Sequence, residues 1–525
     1  MILGEKIRQL RTDRNLSQEQ VADLFGVSQQ SVQKWENGDT TPELGKVIKI
    51  ARYFGVSLDS LILGNDNRVV EELKKNMALK PEYNNIHDWE FYSSDLMTEF
   101  QQSVEEGLDI AEYKEVFQAV SHLPKNEIRQ RLGDVLFDVV TQAPQVKDYP
   151  YNEPSDLEAI QQLRTPYEYK KNDIVDLESK IHGAWLGRVC GCRVGQAFEG
   201  IHSDEMERFL TETGNKPLHR YVYRSDFTDE MYQQYRFPFA GRLYVDEADR
   251  IPGDDDTNYT VLYQRVVEQY GRDFTPYQVS RAWLGLQAKD AYCTAERVAF
   301  CNFVAGYTPP VSAQYQNPYR EWIGAQIRAD YFGYINPGDP QTAAEMAWRD
   351  GCISHVKNGI YGEMFVAAML AVAAETSCMD DIILGGLAQV PSTSRLYEQV
   401  MRVYRFYKEG GSQEDCFKMI HATYDEKTSH GWCHTVPNAM IVAASLLYGK
   451  GDYARSICMS VEACFDTDCN GATVGSILGM AYGVDIIPEY WSKPMNDTLA
   501  TSIFGVGTVK ISERAKMTLN HLPQK

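Results

Sequence analysis

The chain reads as an all-α protein in two parts, a short helical module at the front and a much larger helical body behind it. Three observations carry this. Apolar residues in the first 64 positions recur at helical spacing between capping residues. Beyond residue 174, apolar runs of helix length dominate and alternating segments are few. Glycines also fall every fourth residue in two stretches, a spacing that puts them on one helix face. A length of 525 residues exceeds what a single core supports, so two or more domains are expected.

The first element is a helix whose apolar side includes Ile7 and Leu10. In "SQEQVADLF", Ser17 followed by Gln20 makes a capping box, and Val21, Leu24 and Phe25 form an apolar face. Gly26 supplies the stop, Val27 the buried corner, and Ser28 caps a further helix whose Val32 and Trp35 point inward before Gly38 ends it. Two helices joined by a tight glycine turn have helix-turn-helix geometry, in which the second offers its exposed side chains to a DNA major groove. Those side chains are Gln29, Gln30, Gln33 and Lys34. Glutamine pairs bidentately with adenine, and lysine suits phosphate or guanine.

From 65 to 173 the chain is expected to be a helical linker. It contains a charged helix over "VVEELKKNMALKPEYNN", helical periodicity from Leu96 to Val120 and from Glu127 to Thr141, and a proline-rich connection from Pro144 to Pro154. In the body, 174–525, glycines at 183, 187, 191 and 195 and at 471, 475, 479 and 483 form two stripes. Each glycine costs a helix interior about 1 kcal/mol relative to alanine, so the stripes imply closely approaching backbones. Carboxylates sit beside them: Glu199 after the first stripe, and Asp466 and Asp468 before the second. A third cluster, Asp254, Asp255 and Asp256, precedes an apolar helix from Val261 to Tyr270. Such a triplet is also what a simple helix cap looks like. An Asp-x-Asp entering a buried glycine helix is harder to assign to capping, and oxygen ligands in this number suit Mg²⁺ or Mn²⁺, as one ion or two.

Composition narrows the function classes. Hydrophobic residues at 43% and charged residues at 24% are ordinary for a globular chain, and the longest apolar stretch, Met364 to Ala374, stops at Glu375, too short for a bilayer. Charges at Glu5, Lys6 and Arg8 stand where a signal peptide needs apolar residues, so a cytoplasmic protein without membrane partners is expected. The 11 cysteines lie between Cys190 and Cys469 with no CxxC pair, which fits reduced thiols. The net charge of −21 opposes nucleic acid as the partner of the whole chain, but residues 1–64 balance 8 basic against 8 acidic side chains. Any DNA contact belongs at the front.

Residues 3–64, with "LSQEQVADLFGVSQQSVQKWENG" and "YFGVSLDSLILG", resemble the Cro and repressor (XRE) class of helix-turn-helix, which implies a five-helix domain, 1–64, binding double-stranded operator DNA as a homodimer. Its implied DNA-contacting residues are Gln18, Gln29, Gln30, Gln33 and Lys34. Three further blocks, "GCRVGQAFE", Asp255-Asp256-Thr257 and "DTDCNGATVGSILG", resemble the ADP-ribosylglycohydrolase family over about residues 174–490. That resemblance implies an all-α catalytic domain that removes ADP-ribose from a protein, nucleic acid or small molecule. Its implied metal ligands are Asp255, Asp256, Asp466 and Asp468, with Glu199 near the second metal and the attacking water, and Asp254 and Cys469 complete the candidate ligand set. Asp254 and Cys469 stand where the family carries threonine, and Cys192 where aspartate is common. A thiol at 469 is a poor Mg²⁺ partner, and Asn470 or water is the alternative ligand.

The expected chemistry is cleavage at the anomeric carbon through an oxocarbenium-like state, with Glu199 and Asp256 positioning or deprotonating the water. Arg328 is a candidate for the diphosphate and His355 for the ribose side, each equally readable as core structure, and Tyr361 and Phe332 are candidates for stacking on adenine, although helical packing is the default reading of such aromatics. The combined reading is a Mg²⁺-dependent hydrolase fused to a DNA reader, a regulator or antitoxin-like protein. Two alternatives stay open: an inactive ADP-ribose or NAD sensor acting as a repressor, and a hydrolase of another N-glycoside.

Overall fold

The computed structural model describes residues 3–62, 81–247 and 253–523. They fall in two compact units, Met1–Asn85 and Ile86–Lys525.

The first unit holds five helices, Leu3–Asp13, Gln18–Phe25, Gln29–Asn37, Leu44–Phe54 and Leu58–Ile62. The capping box is formed: the Ser17 hydroxyl accepts from the Gln20 amide at 3.1 Å while the Gln20 side chain accepts from the Ser17 amide at 2.7 Å. Gly26, at φ 62°, turns the chain between the two helices as only glycine does without strain. Ile7, Val21, Val32, Ile50 and Leu61 form the buried centre. Beside them Glu36 is buried, accepting from Arg11 Nε at 2.6 Å and Gln18 Nε2 at 2.8 Å. Burial alone would raise its carboxyl, but the Arg11 and Gln18 bonds and the Arg11 and Arg8 charges outweigh it and hold the group below the usual range.

The second unit is almost wholly helical; its described strands are Thr498–Ala500 and Thr508–Lys510, an antiparallel pair. Its central feature is the packing of helix Leu177–Gly195 against helix Thr467–Tyr482. The two run antiparallel, with Gly183, Gly187 and Gly191 lying on Gly479, Gly475 and Gly471. A Cβ at Gly191 would stand 2.0 Å from the Gly471 carbonyl oxygen, and one at Gly479 2.0 Å from that of Gly183. Gly195 meets the backbone of Thr467 and Asp468 in the same way. Gly483, the end of the second stripe, both lies against Gly183, at which a Cβ would stand 2.6 Å from its carbonyl carbon, and caps that helix at φ 85°. Two further helices, Lys357–Ala373 and Thr435–Gly449, are buried nearly end to end. Among the described residues no helix is long and apolar enough to cross a membrane.

The stretch expected as a linker divides. Its first helix falls on 69–80, outside the described residues, and its end is a short 3-10 turn, Tyr83–Asn85. Residues 86–163 are part of the second unit. The periodicity from Leu96 to Val120 resolves into helices Leu96–Glu105 and Lys114–Ser121, interrupted at Gly107, φ 81°, and that from Glu127 runs to Gln142. Buried ion pairs tie this segment to the body: Glu99 and Glu106 to Arg320 at 2.8 and 2.6 Å, and Glu153 to Arg395 at 2.8 Å. Arg395 also reaches Glu321 at 2.8 Å, and His430 reaches Glu105 at 3.0 Å. Sequence reading missed this because each of this segment's partners lies more than 200 positions away.

Candidate active site

The close glycine contact ends where the chemistry begins. Helix Leu177–Gly195 runs out just before Glu199, and helix Thr467–Tyr482 starts with Asp466 as its N-cap. The turn before Asp466 puts two consecutive non-glycine residues, Cys464 at φ 63° and Phe465 at φ 56°, in the left-handed region. Such conformations cost about 1–3 kcal/mol each and persist where surroundings enforce them. Here the Trp432 indole donates to the Phe465 carbonyl at 2.7 Å, and the Asn438 side chain accepts from the Asp466 amide at 3.1 Å.

Helix Asp255–Tyr270 brings the third cluster to the same place. Asp254 is its N-cap, accepting from the Asp256 amide at 3.0 Å, and its other oxygen accepts from Gln196 at 2.6 Å. Asp254 is therefore both the cap it resembles in sequence and a member of the cluster. Asp256 is fully buried; one oxygen accepts from Arg188 at 3.2 Å, and Arg188 also holds Asp330 at 2.8 Å. The other Asp256 oxygen, Oδ2, has no partner, and neither has Asp468 Oδ1. Ligand atoms of Asp256, Asp468 and Cys469 lie within 4.8 Å of one another, as do those of Cys192, Asp254 and Asp256. The two groups share Asp256.

A pocket of about 120 Å³ opens on this cluster, with five carboxylates on its lining, Glu199, Asp255, Glu296, Asp466 and Asp468. Desolvation first, then mutual repulsion, puts Asp255 and Asp468 well above the usual range, and desolvation raises Asp466 against the hydrogen bonds of Asp468 and Cys469. Glu199, which keeps an exposed face, is pushed up to about 7 by desolvation and the charges of Asp466 and Asp254. Carboxylates crowded this way with unpartnered oxygens fit divalent cations, whose charge would reverse every one of these shifts. The thiols fit less well. Burial, then the neighbouring carboxylates, pushes Cys469 and Cys192 well above the usual thiol value, so neither is a thiolate in this arrangement.

The structure brings together Glu199, Asp254, Asp255, Asp256, Asp466, Asp468 and Cys469, and leaves the expected substrate contacts outside the pocket lining. Arg328 has no exposed side chain: it pairs with Asp350 at 2.6 Å and Glu296 at 3.2 Å, which occupies the fork a diphosphate would need. His355 is buried against Ser354 at 2.8 Å, the Tyr361 hydroxyl donates to the Pro154 carbonyl, and Phe332 is core. These are the structural readings of those residues. In the first unit Gln29, Gln30, Gln33 and Lys34 are exposed, whereas Gln18 is half-buried and bonded to Glu36.

Sequence reading missed Glu296, Trp89 and Trp432, whereas Trp322 lies in the run "EWIGAQIRADYFGYINPG", which resembles a substrate-lining segment of the family. Glu296 lines the pocket, is backed by Arg328, and keeps Oε2 without a partner. Gly324 makes room for it, since a Cβ there would stand 2.0 Å from Glu296 Oε1. The dense run "HGWCHT", holding Trp432 and Cys433, was the available signal.

A family model described as ADP-ribosylglycohydrolase matches residues 173–516, and one described as helix-turn-helix matches residues 7–61. The N-terminal region is 37% identical over 87 residues to the HTH-type transcriptional activator BcrR of Enterococcus faecalis, covering 17% of this chain and 43% of that protein. It is 33% identical over 78 residues to the cryptic phage CTXphi transcriptional repressor RstR of Vibrio cholerae, covering 15% of this chain and 70% of that protein. The match thus spans less than half the length of the first of these relatives. A solved structure described as an ADP-ribosylglycohydrolase-related protein complex aligns over 66% of this chain and 98% of its own, with a TM-score of 0.41 and 15% identity.

Proposed function

We propose a function on the premise that the chain belongs to the ADP-ribosylglycohydrolase family, whose model covers most of it, and carries a helix-turn-helix domain in front. The second unit hydrolyses the glycosidic bond between ADP-ribose and an acceptor, and it depends on Mg²⁺ or Mn²⁺. One observation carries this reading: carboxylates from three separate stretches converge on one pocket, with Asp256 Oδ2 and Asp468 Oδ1 buried and unpartnered. Asp254, Asp255, Asp256, Asp466 and Asp468 would hold the cations, which supply fixed positive charge that orients ribose hydroxyls and neutralises the crowded acids.

The chain's own residues do the rest. Glu199, on the rim, aligns a water with the anomeric carbon and accepts its proton as the glycosidic bond breaks. Arg188 fixes Asp256 through one carboxylate oxygen and leaves the other to the pocket. Arg328 acts behind the wall by setting Glu296. The test is release of free ADP-ribose from Arg-, Ser- and nucleobase-linked substrates with Mg²⁺, Mn²⁺ or chelator; no release from any of them with either ion overturns the reading.

The first unit binds operator DNA as a homodimer through Gln29, Gln30, Gln33 and Lys34, all exposed on one helix. As a regulator, the protein changes operator affinity several-fold with saturating ADP-ribose and Mg²⁺. Linkage requires DNA to change ADP-ribose affinity by the same factor. Equal operator affinity with and without ligand refutes the coupling.

A further inference from the structure

The family match begins at residue 173, yet one wall of the acidic pocket comes from well before it. Trp89 sits on a 3-10 turn, Asp88–Glu90, and lines the pocket with Trp322 and Trp432. It is fastened there. The Arg297 guanidinium lies 5.0 Å over its ring, Glu90 pairs with Lys289 at 2.6 Å, and Asp88 pairs with Lys125 at 2.8 Å. The other two indoles have spent their N–H groups on the protein, Trp322 on His430 Nδ1 at 3.2 Å and Trp432 on the Phe465 carbonyl at 2.7 Å. Trp322 is buried and Trp89 and Trp432 are partly exposed, and all three line the pocket beside the carboxylates.

The space is also small. A cavity of about 120 Å³ is well under the roughly 300–1,000 Å³ of ordinary ligand sites. A ring accommodated here lies next to the reacting carbon, so it is the leaving group; the adenine of an ADP-ribosyl group is separated from that carbon by a diphosphate and two riboses.

We propose that Trp89, Trp322 and Trp432 form a wall that receives a planar heteroaromatic leaving group, so that the site prefers N-glycosides of a base to ADP-ribose linked through a serine oxygen. This rests on the hydrolase reading above and names its substrate class. In the reaction, water adds to the anomeric carbon as the carbon–nitrogen bond breaks. The ring nitrogen keeps the bonding pair, and the water's proton passes to the departing base, or to solvent where the ring leaves a pyridinium and is already neutral. Trp89 is a specificity residue, since ring stacking on an indole discriminates planar groups from a hydroxyl carrier.

The first test reads ring binding without turnover. Tryptophan fluorescence of the full chain is titrated with free nicotinamide, free adenine and free serine in wild type, Trp89→Ala and Trp89→Phe, with melting curves recorded for all three. Saturable quenching by both bases and not by serine is expected, weakened about five-fold or more in Trp89→Ala and retained in Trp89→Phe. No saturable quenching by either base, or equal binding in a folded Trp89→Ala, overturns the proposal. The second test needs no variant: wild-type kcat/KM should be at least ten-fold higher for a pyridinium N-riboside such as NAD than for serine-linked ADP-ribose. An active enzyme with the reverse preference overturns the tryptophan wall and leaves the hydrolase standing, whereas a chain that binds the rings but hydrolyses neither substrate overturns the hydrolase reading and with it the leaving-group role.

Discussion

Gly191→Ala is expected to destabilise the second unit by about 2 kcal/mol, although the same change in most helices helps. Alanine is about 1 kcal/mol better than glycine in a helix interior. Gly285, in helix Pro276–Leu286 with nothing within 4 Å of a built Cβ, gives the internal comparison, and Gly285→Ala should stabilise by up to about 1 kcal/mol. At Gly191 the new Cβ would stand 2.0 Å from the Gly471 oxygen and 2.5 Å from its carbon, against an ordinary contact of 3.4 Å or more. The two helix backbones must part by more than 1 Å, and neither has a side chain that can swing aside. Overpacking costs about 1–3 kcal/mol where neighbours relax, and here the cost should reach or pass the upper end before the propensity gain is subtracted. Urea denaturation of the three proteins, followed by helical circular dichroism, measures the differences. A Gly191→Ala midpoint at or above that of wild type refutes the account of the glycine stripes. The same displacement carries Asp466 and Asp468, so the stabilisation given by Mn²⁺ should shrink in parallel.

Asp468→Asn removes a buried charge among like charges, so in chelator its melting temperature should equal or exceed wild type, while the rise produced by Mg²⁺ or Mn²⁺ should vanish; a rise matching wild type refutes the ligand assignment. Gln29→Ala with Gln30→Ala should erase operator preference, each bidentate adenine contact being worth roughly 1–3 kcal/mol, and leave hydrolysis unchanged; unaltered site selection from a random pool counts against this helix as the reader. His430 is held below the usual 6.5 by burial, with His434 adding to this and Glu105 opposing it. Its Nδ1 accepts from Trp322, so a second ring proton has no place to go. The unfolded chain then binds the proton more readily, and stability that is full above 6.5 is lost as pH falls below it. His430→Asn should flatten that loss between pH 7.5 and about 5, by up to about 1.4 kcal/mol per pH unit; urea midpoints as steep as wild type over this window refute it.

What the sequence disclosed was local or periodic. Ser17 with Gln20, Gly26 and the two glycine stripes each state their own geometry within a turn or a helix, and the structure realises them. Asp254 to Asp256 and Asp466 to Asp468 were legible because three or two acids beside an apolar helix conflict with burial. Arg328 was ambiguous, since an arginine aimed at a ligand and one aimed at Asp350 look alike in one dimension. Trp89 left no trace at all. It stands in a short irregular stretch, and its partner Arg297 is 208 positions away in the numbering.

The buried pairs of Glu99, Glu106 and Glu153 with Arg320 and Arg395 bear on where this chain can be cut. A homology boundary and a folding boundary differ here by nearly ninety residues, 173 against Ile86. An expression product trimmed to the homologous region would strand the buried Arg320 without Glu99 and Glu106 and leave Arg395 with Glu321 alone, at a penalty of about 3–5 kcal/mol per broken pair. It would also lack the Trp89 wall. The portable unit for recombinant work begins at about Ile86 and carries the helices that precede the family match as an integral part of its fold.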